Sequence, residues 1–233
     1  MISCISVENM RLSDAYTIEN FVPGVVLMHR AAMGVFKAHA WSGSTAIVVG
    51  SGNNGGDGFA LACILREKGF DCAVFTVSRR LSDDSAYYAA KARDAGVPVR
   101  PFEKGCLDDF SNVVDCLLGT GFSGALRDNY RQAIDAINQS GAFVISVDIN
   151  SGMNGDTGAA EIAVFSDLTV TIGYVKTGLV APNAGKYIKR LVCAPIGIRL
   201  FREEYTIVSS GVLPGPEFIL CPPWLDMHPI SPE

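Results

Sequence analysis

Ala46-Ile-Val-Val-Gly-Ser-Gly-Asn-Asn-Gly-Gly-Asp-Gly58 runs from an apolar segment into five glycines within nine positions, and Phe59-Ala-Leu-Ala-Cys-Ile-Leu-Arg-Glu-Lys-Gly69 follows with helical character. Glycine costs backbone entropy, so this density predicts a loop that something approaches closely. A strand, a glycine loop and a helix in that order turn free N–H groups and the positive end of a helix dipole toward one point. The expected guest is an anion, a phosphate above all. Gly50, Gly52 and Gly55 satisfy G-x-G-x-x-G, the dinucleotide-binding pattern. Asn53, Asn54 and Asp57 go beyond that pattern, because a pyrophosphate loop needs glycines and has no need of two amides and a carboxylate. Their side chains read as binding groups. The plainer alternative is that Asp57 caps the helix and the asparagines accept left-handed backbone angles.

Outward from this stretch, strands and helices alternate. Strands are expected at 45–50, 72–77, 97–101, 113–118, 143–149, 167–173 and 189–194, with helices at 57–68, 83–95 and 127–139. Two further helices are expected within residues 8–40, the second after Pro23-Gly24. Near-continuous Val/Ile/Leu strands separated by helices imply a three-layer, doubly wound, Rossmann-like α/β fold, its sheet mostly parallel and covered by helices on both faces. Ligands of such sheets bind beyond the carboxyl ends of the strands. The polar, glycine-bearing segments Gly50 to Asp57, Gly119 to Ala125, Asp148 to Gly152 and Gly173 to Gly178 all follow strands, so they share one edge.

A chain of 233 residues with 48% hydrophobic composition buries one large core. One domain over residues 1–202 is expected. Residues 203–233 hold six of the eleven prolines and form a tail or extended arm, with a strand-length run at Phe218-Ile-Leu-Cys221. A net charge of −5 without a basic cluster argues against a nucleic-acid surface. Seven cysteines without C-x-x-C spacing, mostly within apolar runs, read as reduced buried thiols. Apolar runs are strand-length and no signal peptide is evident, so the expected address is the cytoplasm, or an organelle if a transit segment was removed.

Several residues are candidates for chemistry. Asp115 lies in Val113-Val-Asp-Cys-Leu-Leu118, where an unpaired carboxylate is expensive; a hydrogen-bond network, a basic side chain or a cation must compensate it. Asn54, Asp115 and Ser151 offer an amide oxygen, a carboxylate and a hydroxyl from neighbouring strand ends, an oxygen set with one negative charge that suits a monovalent ion better than calcium. Asp148 closes Phe143-Val-Ile-Ser-Val-Asp148 before a turn, the place for a general acid or base, or for a residue that caps local amides. Gly119, Thr120, Gly121, Phe122, Ser123, Gly124 and Ala125 precede a helix that offers a second anion site, with Tyr130 in its first turn as a stacking or packing residue. Lys176 has two readings, reaching a phosphate or neutralising a carboxylate. His29 and His39 lack metal-ligand spacing and read as structural or exposed.

Asn53-Asn-Gly-Gly-Asp57, Asp115-Cys-Leu-Leu-Gly-Thr-Gly-Phe-Ser-Gly124, Tyr130, Val147-Asp-Ile-Asn-Ser-Gly152, Gly158, Lys176-Thr-Gly178 and Ile196-Gly-Ile198 stand in the order of the YjeF N-terminal domain family, the NAD(P)H-hydrate epimerases, which the chain resembles over about residues 8–200. The resemblance implies an isomerase that interconverts the R and S forms of hydrated NADH and NADPH at C6 of the nicotinamide ring, in partnership with a dehydratase that acts on one epimer. It implies a homodimer, expected to form through the N-terminal helices. It assigns Asn54, Asp115 and Ser151 to a potassium ion, and Asn53 to Asp57, Gly119 to Ala125, Tyr130 and Asp148 to the dinucleotide. Asp148 is then the single acid/base group: a hydroxyl beside a ring nitrogen leaves as water to give a nitrogen-stabilised cation, and water returns. Asn150 stands where the family commonly has proline and is expected to loosen the turn beside Asp148 and Ser151; His29 stands where a glutamate is usual.

Two other readings compete. An NADP-dependent oxidoreductase would use Ser78-Arg-Arg80 for a 2′-phosphate, although no hydride-transfer constellation accompanies it. A non-catalytic binding or scaffold domain would share the fold without the chemistry.

Overall fold

The computed structural model describes residues 2–122, 124–208 and 217–219. Their elements, in chain order, are β1 (Ile2–Ile5), α1 (Val7–Asn20), α2 (Gly24–Ala38), β2 (Thr45–Val49), α3 (Asn53–Glu67), β3 (Cys72–Thr76), α4 (Asp83–Asp94), β4 (Val99–Pro101), β5 (Asn112–Cys116), α5 (Asp128–Gln139), β6 (Phe143–Val147), β7 (Leu168–Ile172), β8 (Val175–Lys176), β9 (Arg190–Ala194), β10 (Thr206–Val208) and β11 (Glu217–Ile219).

Eight strands form one sheet in the order β11-β9-β7-β6-β5-β2-β3-β4, each neighbouring pair parallel. The chain starts this sheet at β2 in the middle, builds outward through β3 and β4, then returns to the other side of β2 with β5. The order reverses between β2 and β5, and there the loops after the two strands part and leave a crevice. Side-chain alternation explains the layers. Ile47 and Val49 of β2 join the core beneath α2, α3 and α4, whereas Ala46 and Val48 face the core under α5, with Ala133, Ile134 and Ile137. Helices therefore cover both faces, as the alternating sequence implies.

A second sheet was not expected. β1 lies between β8, with which it is parallel, and β10, with which it is antiparallel. These strands are short, and a periodicity of two cannot establish itself over such lengths. The small sheet carries α1 to the rim of the crevice. The described parts of the tail join both sheets, through β10 and β11; Leu220 and Cys221 of the expected strand-length run lie outside the described residues.

One expectation about the deciding stretch needs correcting. The helix begins at Asn53, four residues earlier than expected, so Gly55, Gly56 and Gly58 belong to α3 and the connection from β2 is only Gly50 to Gly52. None of these glycines has a positive φ. They are needed for contact: a Cβ on Gly50 would lie 2.0 Å from the Leu117 carbonyl oxygen, one on Gly55 2.5 Å from that of Gly50, and one on Gly58 2.8 Å from Val49. The glycines let α3 press its first turns against the ends of β2 and β5.

Candidate active site

The crevice at the switch point is a cavity of about 520 Å³, walled by α1, α2, the first turns of α3, and the segments after β5, β6 and β7. Asp148 occupies the end of β6 with φ +69°, the sole non-glycine residue in the left-handed region among those described. Asparagine and aspartate tolerate that region better than most side chains, yet it still carries strain. The Asp148 N–H donates to the Val170 carbonyl at 2.8 Å and the Ile149 N–H to that of Val147 at 3.0 Å, which hold the turn.

Lys176 of β8 meets this carboxylate. Its Nζ lies 2.5 Å from Asp148 Oδ1 and also donates to the Ile172 carbonyl at 2.6 Å and Thr171 Oγ1 at 3.2 Å. The lysine is fully buried, and a buried ammonium is tolerated when paired and hydrogen-bonded in this way. Of its two sequence readings, neutralisation of a carboxylate is the one the geometry selects. Asp148 Oδ2 has no hydrogen bond among the described residues and faces Gly119, where a Cβ would come within 3.1 Å of it. One carboxylate oxygen is thus anchored and the other is presented to the cavity that both residues line.

Two further carboxyls share the space. Asp57, in the second turn of α3, lines the cavity beside Asn53 and Asn54. Burial pushes its carboxyl well above the usual range, with Asp148 and Asp14 adding to the effect and Lys176 opposing it. Asp14, on α1, is raised from 3.8 to about 6, first by burial; Lys176 pulls it down and Asp148 up. Sequence reasoning missed Asp14. The available signal was its place in the row Met10, Asp14, Ile18, a carboxyl at helical spacing between apolar residues, all of which line the cavity.

Asn54, Asp115 and Ser151 come together beneath the cavity floor. Asp115 is completely buried; its Oδ1 accepts from Leu117 N at 3.2 Å and Ser151 Oγ at 2.5 Å, its Oδ2 from Ser146 Oγ and Ser151 N, both at 2.9 Å. Burial raises this carboxyl and those hydrogen bonds restrain the rise. The hydrogen-bond network expected as one compensation is present. Asn54 Nδ2 donates to the Leu118 carbonyl at 2.8 Å, the same oxygen that Ser151 Oγ approaches at 3.3 Å, and to the Val147 carbonyl at 3.2 Å. Among the described residues, Asn54 Oδ1 is buried without a partner. An unpartnered amide oxygen, on a side chain that shares the Leu118 carbonyl with the Ser151 hydroxyl bound to Asp115, fits a hard monovalent cation, which accepts such donors without demanding several charges.

The remaining expected contacts divide. Asn53, Asn54 and Asp57, and Gly119, Thr120, Gly121 and Phe122, line the cavity. Gly55 and Gly56 do not; they lie inside α3, with a Cβ on Gly56 facing Met28 and Ser85 at 2.5 Å and 2.8 Å. Ser123 lies outside the described residues. Gly124 borders a separate cavity of about 260 Å³ that also includes Phe122 and Glu161, and Ala125 is exposed. Tyr130 is buried and stands behind the wall, its hydroxyl 3.3 Å from both Ser51 N and Ser51 Oγ. Ser78, Arg79 and Arg80 are not among the cavity residues. His39 stacks on Phe143 and lies 3.1 Å from Asn112 Oδ1, a structural role.

Asn150 corrects the expectation of a loosened turn. It is fully buried, donates to the Val164 carbonyl, Ser166 Oγ and the Tyr187 carbonyl at 2.9, 3.0 and 3.2 Å, and accepts from Thr169 Oγ1 at 2.6 Å. What proline supplies by a rigid ring, Asn150 supplies by tying the turn to β7 and to the segment before β9.

The chain is 35% identical over 198 residues to an NAD(P)H-hydrate epimerase of Limosilactobacillus fermentum, covering 82% of this chain and 95% of that one. It is 34% identical to an NAD(P)H-hydrate epimerase of Rhodopirellula baltica, covering 83% and 84% of the two chains. A bifunctional NAD(P)H-hydrate repair enzyme, Nnr, of Coxiella burnetii is 34% identical over 218 residues, of which this chain spans 45% of the length. In fold the chain is similar to the crystal structure of yeast YNL200c, with a TM-score of 0.67 and 20% identity over 75% of this chain and 82% of that one. The profile of the YjeF-related protein N-terminus family matches residues 24–178, and the chain belongs to that family.

Proposed function

We propose that the protein epimerises the hydrated forms of NADH and NADPH at C6 of the nicotinamide ring, restoring damaged cofactor to the epimer a dehydratase consumes. The observation that carries the reading is Asp148: one carboxylate oxygen held by a buried lysine, the other free at the wall of a cavity bordered by Asn53, Asn54 and Gly119 to Phe122. The close relation to epimerases over nearly their full length supports it. A C6 hydroxyl next to the ring nitrogen is a hemiaminal. Its loss as water leaves a cation stabilised by the nitrogen lone pair, and the negative charge of Asp148 favours that cation. Asp148 is an acid/base group at the cavity wall, and Lys176 holds its other oxygen.

The dinucleotide's phosphates are expected at the first turn of α3 and along Gly119 to Phe122, where helix N-terminal N–H groups and an open glycine backbone meet. Asn54, Asp115 and Ser151 would hold a potassium ion, which supplies fixed geometry to the loops after β2, β5 and β6 and, at its low charge density, little Lewis acidity. The relation to bifunctional repair enzymes, of which this chain matches less than half, supports a functional partnership with a dehydratase. A homodimer completes the proposal. The address is the cytoplasm or an organelle; no helix among the described residues is long and apolar enough to cross a membrane.

Incubation with R-enriched hydrated NADH beside an S-specific dehydratase tests the activity: R consumption accelerates, and an Asp148→Asn variant leaves only the background rate. Unchanged R consumption by the wild-type protein would favour a binding domain, and oxidation of NADPH coupled to a reducible substrate would favour an oxidoreductase. For the ion, potassium is expected to raise the melting temperature more than equal sodium or calcium, and Asn54→Ala to abolish the difference.

A further inference from the structure

Epimerisation poses a stereochemical demand. The C6–O bond must break on one face of the ring and form on the other, whereas a carboxylate fixed in one wall addresses a single face. Asp148 is such a group, pinned by its backbone and by Lys176. Asp14 reaches the same cavity from a different element. It sits in the middle of α1, well beyond the capping Ser6, so helix termination does not explain it. It makes no hydrogen bond or ion pair among the described residues, and Met10 and Ile18, one turn to either side, line the cavity with it. A partly buried carboxyl without a partner costs stability and has no structural return there.

We propose that the site works with a carboxyl on each of two walls, Asp14 on α1 and Asp148 at the end of β6, so that water leaves from one face of the nicotinamide ring and enters on the other. This rests on the epimerase reading and divides the reaction between residues. In one direction the Asp14 carboxyl gives its proton to the C6 hydroxyl, the C6–O bond breaks, water departs and the ring nitrogen's lone pair forms the C=N bond. A second water then adds to C6 from the Asp148 wall, the C=N electron pair returns to nitrogen, and the water's proton passes to the Asp148 carboxylate. One proton has moved between carboxyls; the reverse turnover or exchange with solvent restores the starting state.

The charged groups facing Asp14 are Arg11 on its own helix, Asp57 on α3, Asp84 on α4, and Asp148 with Lys176. The Lys176 ammonium is committed to Asp148, Thr171 and the Ile172 carbonyl. Burial favours the protonated form of Asp14, whereas Asp148 sits against a cation. The two carboxyls thus sit in unlike surroundings, one paired with a buried ammonium and the other without an ion-pair partner among the described residues.

Oxygen exchange tests the idea. Each epimer of hydrated NADH is incubated separately in ¹⁸O-water, and both configuration and label at C6 are followed. In the wild-type protein, inversion brings one solvent oxygen per event. Asp14→Asn is expected to slow inversion by about 100-fold or more, while the epimer whose hydroxyl faces Asp148 still exchanges its oxygen with configuration retained. Asp148→Asn is expected to show retentive exchange of the opposite epimer alone, and Asp14→Glu, which keeps the carboxyl, to retain inversion. Undiminished inversion in Asp14→Asn, a parallel loss of inversion and exchange, or equal loss in the Asn and Glu variants overturns the proposal. A wild-type protein that neither inverts nor exchanges overturns the epimerase reading itself, a separate outcome.

Discussion

At the scale of single residues, the site depends on one ion pair that the surrounding burial makes indispensable. Lys176→Met leaves the Asp148 carboxylate without its cation, and breaking a buried pair from one side costs about 3–5 kcal/mol. Urea unfolding is expected to show that loss, with epimerisation reduced to background. Adding Asp148→Asn should recover part of the stability and none of the activity, because the neutral amide no longer needs a cation. Asp14 behaves in the opposite sense. Its native carboxyl holds a proton more tightly than in the unfolded chain, 3.8 rising to about 6, so between those values the folded state binds more protons and stability falls as pH rises. Above about pH 6 the penalty is fully present; below pH 4 it is gone. Asp14→Asn is therefore expected to melt higher than wild type at pH 7.5, by roughly 1–2 kcal/mol after solvent screening, or several degrees. The difference should vanish near pH 4 in thermal melts.

At the scale of elements, the β2–α3 junction carries the most constraint. Two of its glycines remove a side chain where another backbone arrives, the Leu117 carbonyl at Gly50 and the Gly50 carbonyl at Gly55, and Gly56 and Gly58 make room for neighbouring side chains. Gly55→Ala forces α3 away from the strand ends and is expected to cost about 1–3 kcal/mol, measured by chemical denaturation. Gly52→Ala in the same turn meets nothing within 4 Å and has φ −93°, so its stability should change by no more than about 0.5 kcal/mol. The contrast separates packing from turn conformation as the reason for the glycines. That reason was half legible: glycine density announced a close approach, but the approaching groups are the protein's own carbonyls and side chains. Helix onset was misplaced because consecutive glycines depress helix propensity locally, and tertiary packing overrides that preference.

For the whole molecule, the cavity is a product of two sheets, since the small one presents α1 as a wall opposite the strand ends of the large one. β10 pairs with β1, and Asn9 of α1 donates to the Arg202 and Glu204 carbonyls at 2.9 and 3.4 Å. Removal of residues 203–233 is expected to speed amide exchange in β1 and α1 by roughly tenfold while the large sheet stays protected, and to raise KM for hydrated NADH through the loosened wall. Sequence alone determined the parallel, doubly wound sheet, the edge on which the loops gather and the need of Asp115 for compensating partners, because strand periodicity, strand-end position and the cost of buried charge are local properties. Only the tertiary structure decided that Lys176 belongs to Asp148, that Asn54 Oδ1 is left without a partner among the described residues and that Asp14 lines the same cavity as Asp148. Each of those facts is a distance between side chains far apart along the chain, brought about by strand order and by a sheet too short to announce itself.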